Sequence, residues 1–151
     1  MSSAVQTLYI NTIGELEIRL GDEQLPLKTA KTKALLVYLA LTGQPHSRET
    51  LIGLLWGELP DNKARWNLTT TLSELRKAVG LYIKEDGGTL AFDQGRPHRI
   101  DITLLETAYE RRDLNQLKEG ISLVRGGFLA GFRVKNGLAF EAWVEETAAR
   151  T

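Results

Sequence analysis

The sequence predicts a mixed α+β fold, on three observations. Short alternating segments open the chain, three helical segments punctuated by Gly and Pro follow, and a further pair of alternating segments meets at Gly87-Gly88. In Thr7–Ile13, Leu8, Ile10 and Thr12 alternate with Tyr9, Asn11 and Ile13. Gly14 breaks the run, and Leu16, Ile18 and Leu20 then alternate with Glu17 and Arg19. This is the period of half-buried strands. Gly21-Asp22 is a turn pair, and a third strand is expected over Gln24–Leu27. Together these segments predict an antiparallel meander.

The period then changes from two to 3.6. Thr29 or Thr32 suits a helix cap, and from Ala34 the positions Leu35, Leu36, Leu39 and Ala40 trace one helical face that ends at Gly43. Ser47 caps an expected second helix, Arg48–Leu55, whose buried face is Leu51, Leu54 and Leu55. Gly57 and Pro60 stop it. Asp61 is the expected cap of a longer third helix, Asn62–Val79, with Ala64, Leu68, Leu72, Leu75 and Val79 as its apolar stripe and Gly80 behind it. Leu81–Asp86 and Thr89–Asp93 form an expected hairpin. Gly-Gly supplies the positive φ of its two-residue turn, and Leu81, Ile83, Leu90 and Phe92 are its inner face. Gln94–His98 reads as a linker. Helical patterns follow over Ile102–Arg112, Leu114–Val124 and Leu138–Arg150.

Composition excludes several classes. Apolar residues make up 42% of the 151 residues and charged residues 25%, ordinary for a globular chain with a core of its own. The absence of cysteine removes disulfides and thiolate metal sites. No signal-peptide pattern opens the chain, and Ala34–Leu41 is too short to span a bilayer, so a cytoplasmic location is expected with no membrane partner. His46 and His98 lack metal-ligand spacing, there is no P-loop, and the carboxylates are scattered. Neither catalysis, a cofactor, a metal nor a small-molecule ligand is expected.

Net charge is zero, but its distribution is uneven. Residues 1–27 hold one base and four acids, whereas residues 28–80 hold eight bases and four acids. The basic excess thus falls on the three helices, a suggestive feature for a phosphate partner. Strands, three helices and a hairpin in this order, with a short link between the second and third helices, read as a winged helix. In that architecture the last of the three helices enters the major groove and the hairpin, the wing, lies over the neighbouring backbone or minor groove. Opposite its leucine stripe the third helix carries Lys63, Asn67, Thr70, Thr71, Glu74 and Lys77, flanked by Arg65, Trp66, Ser73 and Arg76. Asn pairs bidentately with adenine, Thr reads base edges or the thymine methyl, and Lys and Arg suit phosphates. Trp56 is expected in the core or as a loop anchor. Trp66 either packs on the hairpin or touches DNA. Trp143 is expected to pack helices.

The stretches "GELEIRLGDEQLPL", "KTKALLVYLAL", "SRETLIGLLWGE" and "LSELRKAVG", in this order, resemble the OmpR/PhoB-type winged helix as it occurs in the Streptomyces antibiotic regulatory protein (SARP) family. "PHRIDITLLETAY", "GGFLAGF" and "AFEAWVEETAAR" resemble the start of the bacterial transcriptional activator domain that follows it there. The resemblance implies an N-terminal four-stranded sheet, duplex DNA bound at repeated promoter sites by more than one protomer, and recruitment of RNA polymerase. It implies a winged-helix domain over residues 5–94 and the beginning of an all-α, tetratricopeptide-like (TPR-like) domain over residues 99–151. Three helices are too few to complete such a domain. Phe140, Trp143 and Val144 then need cover from a longer chain, from the winged helix or from a second copy. The implied base contacts are Trp66, Asn67, Thr70, Thr71 and Glu74. Glu74 stands where the family usually has Arg, and Thr71 lacks the usual aromatic. The candidate phosphate contacts are Lys31, Lys33, Arg48, Lys63, Arg65, Arg76, Lys77 and Thr89. The alternative reading is a protein-interaction module that does not bind DNA.

Overall fold

The computed structural model describes residues 6–121, 126–135 and 137–150. Its contacts cluster into two compact units, each assembled from separated stretches of chain.

The first unit comprises residues up to Leu25, Arg96–Phe132 and the last two residues. Strand β1 (Leu8–Asn11) pairs antiparallel with β2 (Glu17–Leu20), which pairs with the two-residue β3 (Glu23–Gln24). The expected third strand over Gln24–Leu27 is therefore shorter and earlier. The fourth strand comes from the far side of the chain: β7 (His98–Ile100) runs parallel to β1, with Leu8 opposite His98 and Ile10 opposite Ile100. The stretch read as a linker thus runs directly into a strand, and the four-stranded sheet is completed by residues that follow the hairpin rather than by the N-terminus alone. Leu8, Ile10, Ile18 and Ile100 are buried.

Helix α4 (Asp101–Arg111) starts at the end of β7 and packs on α5 (Leu114–Ile121). The Val124 end expected for α5 lies outside the described residues. Asp101 joins sheet to helix. Its buried carboxylate accepts from the backbone N–H of Thr12 at 2.8 and 2.9 Å, the Thr12 hydroxyl at 2.9 Å, and the N–H groups of Ile13 and Ile102, both at 2.8 Å. An acid at a helix start is favoured by the helix dipole, and these donors supply what the buried charge needs.

The second unit comprises Pro26–Gly95 and Arg133–Ala149. Helix α1 (Ala30–Thr42) is capped by the Thr29 hydroxyl, which accepts from Thr32 N–H, and closes on Gly43 in the left-handed region. Ala34–Val37 are buried in succession, covering a full turn, so α1 is a central helix rather than a one-sided one. After β4 (His46–Ser47), α2 (Arg48–Trp56) is capped by Ser47, as expected. Helix α3 spans Asp61–Val79; Pro60 stands at its cap position without a side-chain hydrogen bond, so Asp61 lies in the first turn rather than capping it. Proline suits this place because its fixed φ matches and its missing N–H is not needed there. The expected stripe is buried: Ala64, Leu68, Leu72, Leu75 and Val79.

A 3₁₀ turn over Gly80–Tyr82 delays the hairpin, which pairs β5 (Ile83–Asp86) with β6 (Thr89–Phe92); β6 also pairs with β4. Gly87 and Gly88 have φ of 58° and 84°, the positive values their turn requires. The turn at Gly80 shifts the alternation, so Leu81, expected inside, is exposed. Tyr82 takes the inner place and stacks on Phe92 at 5.7 Å between ring centroids. Helix α6 (Leu138–Arg150) docks back on this unit. Phe140 is fully buried, and Trp143 meets the Tyr38 ring of α1 edge-on at 5.1 Å.

Candidate nucleic-acid interface

The expected site residues fall in the second unit, on α1, α2, α3 and the β5–β6 hairpin. Helix α3 has 19 residues, about 28 Å of helix at 1.5 Å per residue. With the stripe inward, its outer face presents Asn62, Lys63, Arg65, Trp66, Thr69, Thr70, Ser73, Arg76 and Lys77, all exposed. These positions recur at three- and four-residue spacing and form one strip along the helix. Trp66, at 68% exposure, is its largest apolar feature. At that exposure it is not buried against the hairpin. Trp56 is buried, as expected.

The threonine run is divided by the helix. Thr69 and Thr70 are exposed, and their hydroxyls donate to the carbonyls of Arg65 and Trp66, each at 3.0 Å. That leaves a lone-pair acceptor and a γ-methyl for any partner. Asn67 is half-buried at the edge of the strip.

Two expected base contacts point elsewhere. Thr71 is only 9% exposed and belongs to the buried side of α3. Glu74 faces the start of α1: one carboxylate oxygen accepts from the Thr32 hydroxyl at 2.6 Å, the other from the Lys28 N–H at 3.0 Å. The Thr32 hydrogen bond, more than the backbone hydrogen bond and charge of Lys28, holds the Glu74 carboxyl below its ordinary range. At about 100° per residue, Glu74 lies about 100° and Thr71 about 160° round the helix from the centre of the outward strip. Their expected exposure is therefore corrected.

The expected phosphate contacts also divide. Lys63, Arg65 and Lys77 are exposed. The Lys31 ammonium donates to the Leu55 carbonyl and lies 5.0 Å from the centroid of the Trp56 ring, and burial lowers its pKa. It serves the C-terminal end of α2, where a cation is favourable, instead of solvent. Lys33 is half-buried on α1, and Thr89 donates to the Asp86 carbonyl inside the hairpin turn at 2.7 Å. Arg48 and Arg76 both grip Glu85 of β5, at 3.0 and 2.8 Å. The hydrogen bond from Arg76, and then that from Arg48, holds the Glu85 carboxyl below the usual carboxylate range.

Sequence reasoning missed Glu85 altogether. Its partners are nine and 37 residues away. The nearer pairing spans the turn at Gly80, where an acid soon after a helix ending in Arg-Lys was the available signal. The hairpin as a whole is acidic: Lys84 stands against Glu85, Asp86 and Asp93, and its tip is Gly87-Gly88. Among the described residues, no group of three or more His, Cys, Asp or Glu side chains is placed to hold a metal ion. None of the described helices is long and apolar enough to cross a membrane.

No family model matches the chain, and no curated protein matches it in sequence. Among solved structures it is similar to EmbR of Mycobacterium tuberculosis, determined in complex with a low-affinity phosphopeptide. The TM-score is 0.71 at 19% identity, over 96% of this chain and 42% of that chain. At this identity the likeness establishes a shared mixed α+β fold. The chain spans less than half the length of the protein it matches.

Proposed function

We propose that this chain is the double-stranded-DNA-binding part of a bacterial transcriptional regulator, an activator, working in the cytoplasm. In this reading α2 and α3 form a helix-turn-helix, β5–β6 is the wing, and α4 and α5 begin a TPR-like segment. The sequence division at 5–94 and 99–151 then separates the DNA-binding segment from the activator segment. The single observation that carries the reading is the outward strip of α3, where Trp66 and Thr70 are bracketed by Lys63, Arg65, Arg76 and Lys77. Trp66, Asn67 and Thr70 read bases, with Thr69 and Ser73 beside them. Lys63, Arg65 and Lys77 hold phosphates and fix register. More than one protomer binds repeated sites, and RNA polymerase is the partner recruited. No catalytic role is assigned.

The chain should retard duplex DNA, with affinity falling steeply as salt rises, because each neutralised phosphate releases counterions. One observation favours the second reading, a protein-interaction module: the hairpin is acidic and repels phosphate. A protein-binding module would leave the duplex unretarded at every salt concentration.

A further inference from the structure

Resting on the DNA-binding reading, we propose that Glu85 occupies, in the free protein, the place that a backbone phosphate of the duplex takes between Arg48 and Arg76, and so sets the strength of this contact. Arg48 opens α2, Arg76 lies in the last turn of α3, and Glu85 reaches both from β5. The two carboxylate oxygens are divided between the two guanidinium groups. Oε2 accepts from Arg48 at 3.0 Å and Oε1 from Arg76 at 2.8 Å. A phosphodiester offers the same arrangement, two anionic oxygens on one atom, and arginine forks suit either group.

All three side chains are reachable from solvent, with 37%, 41% and 35% of their surface exposed. Ion pairs this exposed hold weakly, so a phosphate can displace the carboxylate without disturbing the fold. Arg48 also stands at the start of α2, where the helix dipole favours an incoming anion. With Glu85 in place the trio carries one net positive charge instead of two. The carboxylate therefore lowers attraction for every duplex alike, which leaves discrimination to the base-reading strip of α3.

The test compares the whole chain with Glu85→Gln on a selected duplex and on a random one, across a salt series, with thermal melts of both proteins. Glu85→Gln should tighten both duplexes by about three- to tenfold at low salt and steepen the log K against log salt slope by about one. The gain should disappear when Arg48 and Arg76 are both replaced by Ala. Equal or weaker binding by Glu85→Gln with an unchanged slope overturns the inference, because Glu85 then only braces the two arginines. A gain that persists without the arginines overturns it as well. If Glu85→Gln lowers the melting temperature, Glu85→Ala in the Arg48→Ala, Arg76→Ala background measures that loss separately. A wild-type chain that retards no duplex fails at the earlier step and removes the DNA reading itself.

Discussion

At the scale of single residues, adjacent threonines on α3 differ in burial. Thr70 lies on the exposed strip and Thr71 among the buried leucines. Thr70→Val and Asn67→Ala should each cost about 1–3 kcal/mol on a specific site and little on random DNA, as base contacts do. Thr71→Val should leave both unchanged. Titrations on the two duplexes check this, and equal losses on both would mean that these side chains read no sequence. Glu74 belongs with Thr71. Glu74→Ala leaves the Thr32 hydroxyl and Lys28 N–H without their charged acceptor and should lower stability by about 1–3 kcal/mol in a urea melt. Its depressed pKa gives that contribution a sign in pH: it is present above the unfolded value near 4.5 and is lost as pH falls through the folded value. The leucine stripe was legible in the sequence because helical spacing repeats. The side on which Thr71 and Glu74 fall was not, since both stand at the edge of the stripe, and the partner that settles Glu74, Thr32 of α1, lies about forty residues away in sequence.

At the scale of elements, α3 is held by its stripe and the hairpin by its junctions. Leu72→Ala removes a buried leucine and should cost about 2–5 kcal/mol in a denaturant melt. A smaller loss would mean that α3 is not anchored by this face. His46 links three elements. It lies in β4 opposite Leu90 of β6, its Nε2 is 2.8 Å from the Thr42 hydroxyl, and its ring is 4.8 Å from Tyr38 of α1. Burial lowers its pKa below 6.5. The unfolded chain therefore binds the proton more readily. Stability should be full above about pH 6.5 and decline as pH falls from there toward the folded value. Urea midpoints at neutral and mildly acidic pH should show this decline, flattened in His46→Gln. The expected hairpin inner face failed at Leu81 for a local reason: one 3₁₀ turn at Gly80 shifts a period of two by half. Strand β7 was illegible because three residues beside Gly95 and Pro97 carry no periodicity, and its partner β1 is some ninety residues distant.

At the scale of the whole molecule, the chain leaves its first unit at Leu25 and returns at Arg96. Ending the chain at residue 94 would remove β7 and Asp101, so β1 would lose a paired neighbour and the N–H groups of Thr12 and Ile13 their acceptor. Such a fragment should be less stable and more prone to associate than one extending through α4, since β1 would be an open edge. Sedimentation and melting of the two fragments compare them directly. Asp101→Ala in the full chain should reproduce the loss, by roughly 3 kcal/mol or more for several buried donors left unmet.

The claim on which the functional reading depends is that the Trp66-bearing strip of α3 reads a duplex. Selection of bound sites from a random duplex library by the full chain measures this most directly, with Asn67→Ala, Thr70→Ala as the paired variant. The account predicts that wild-type protein enriches one short recurring motif and that the variant retains duplexes without enriching it. A wild-type pool that stays random, or a variant that enriches the same motif to the same degree, would contradict it.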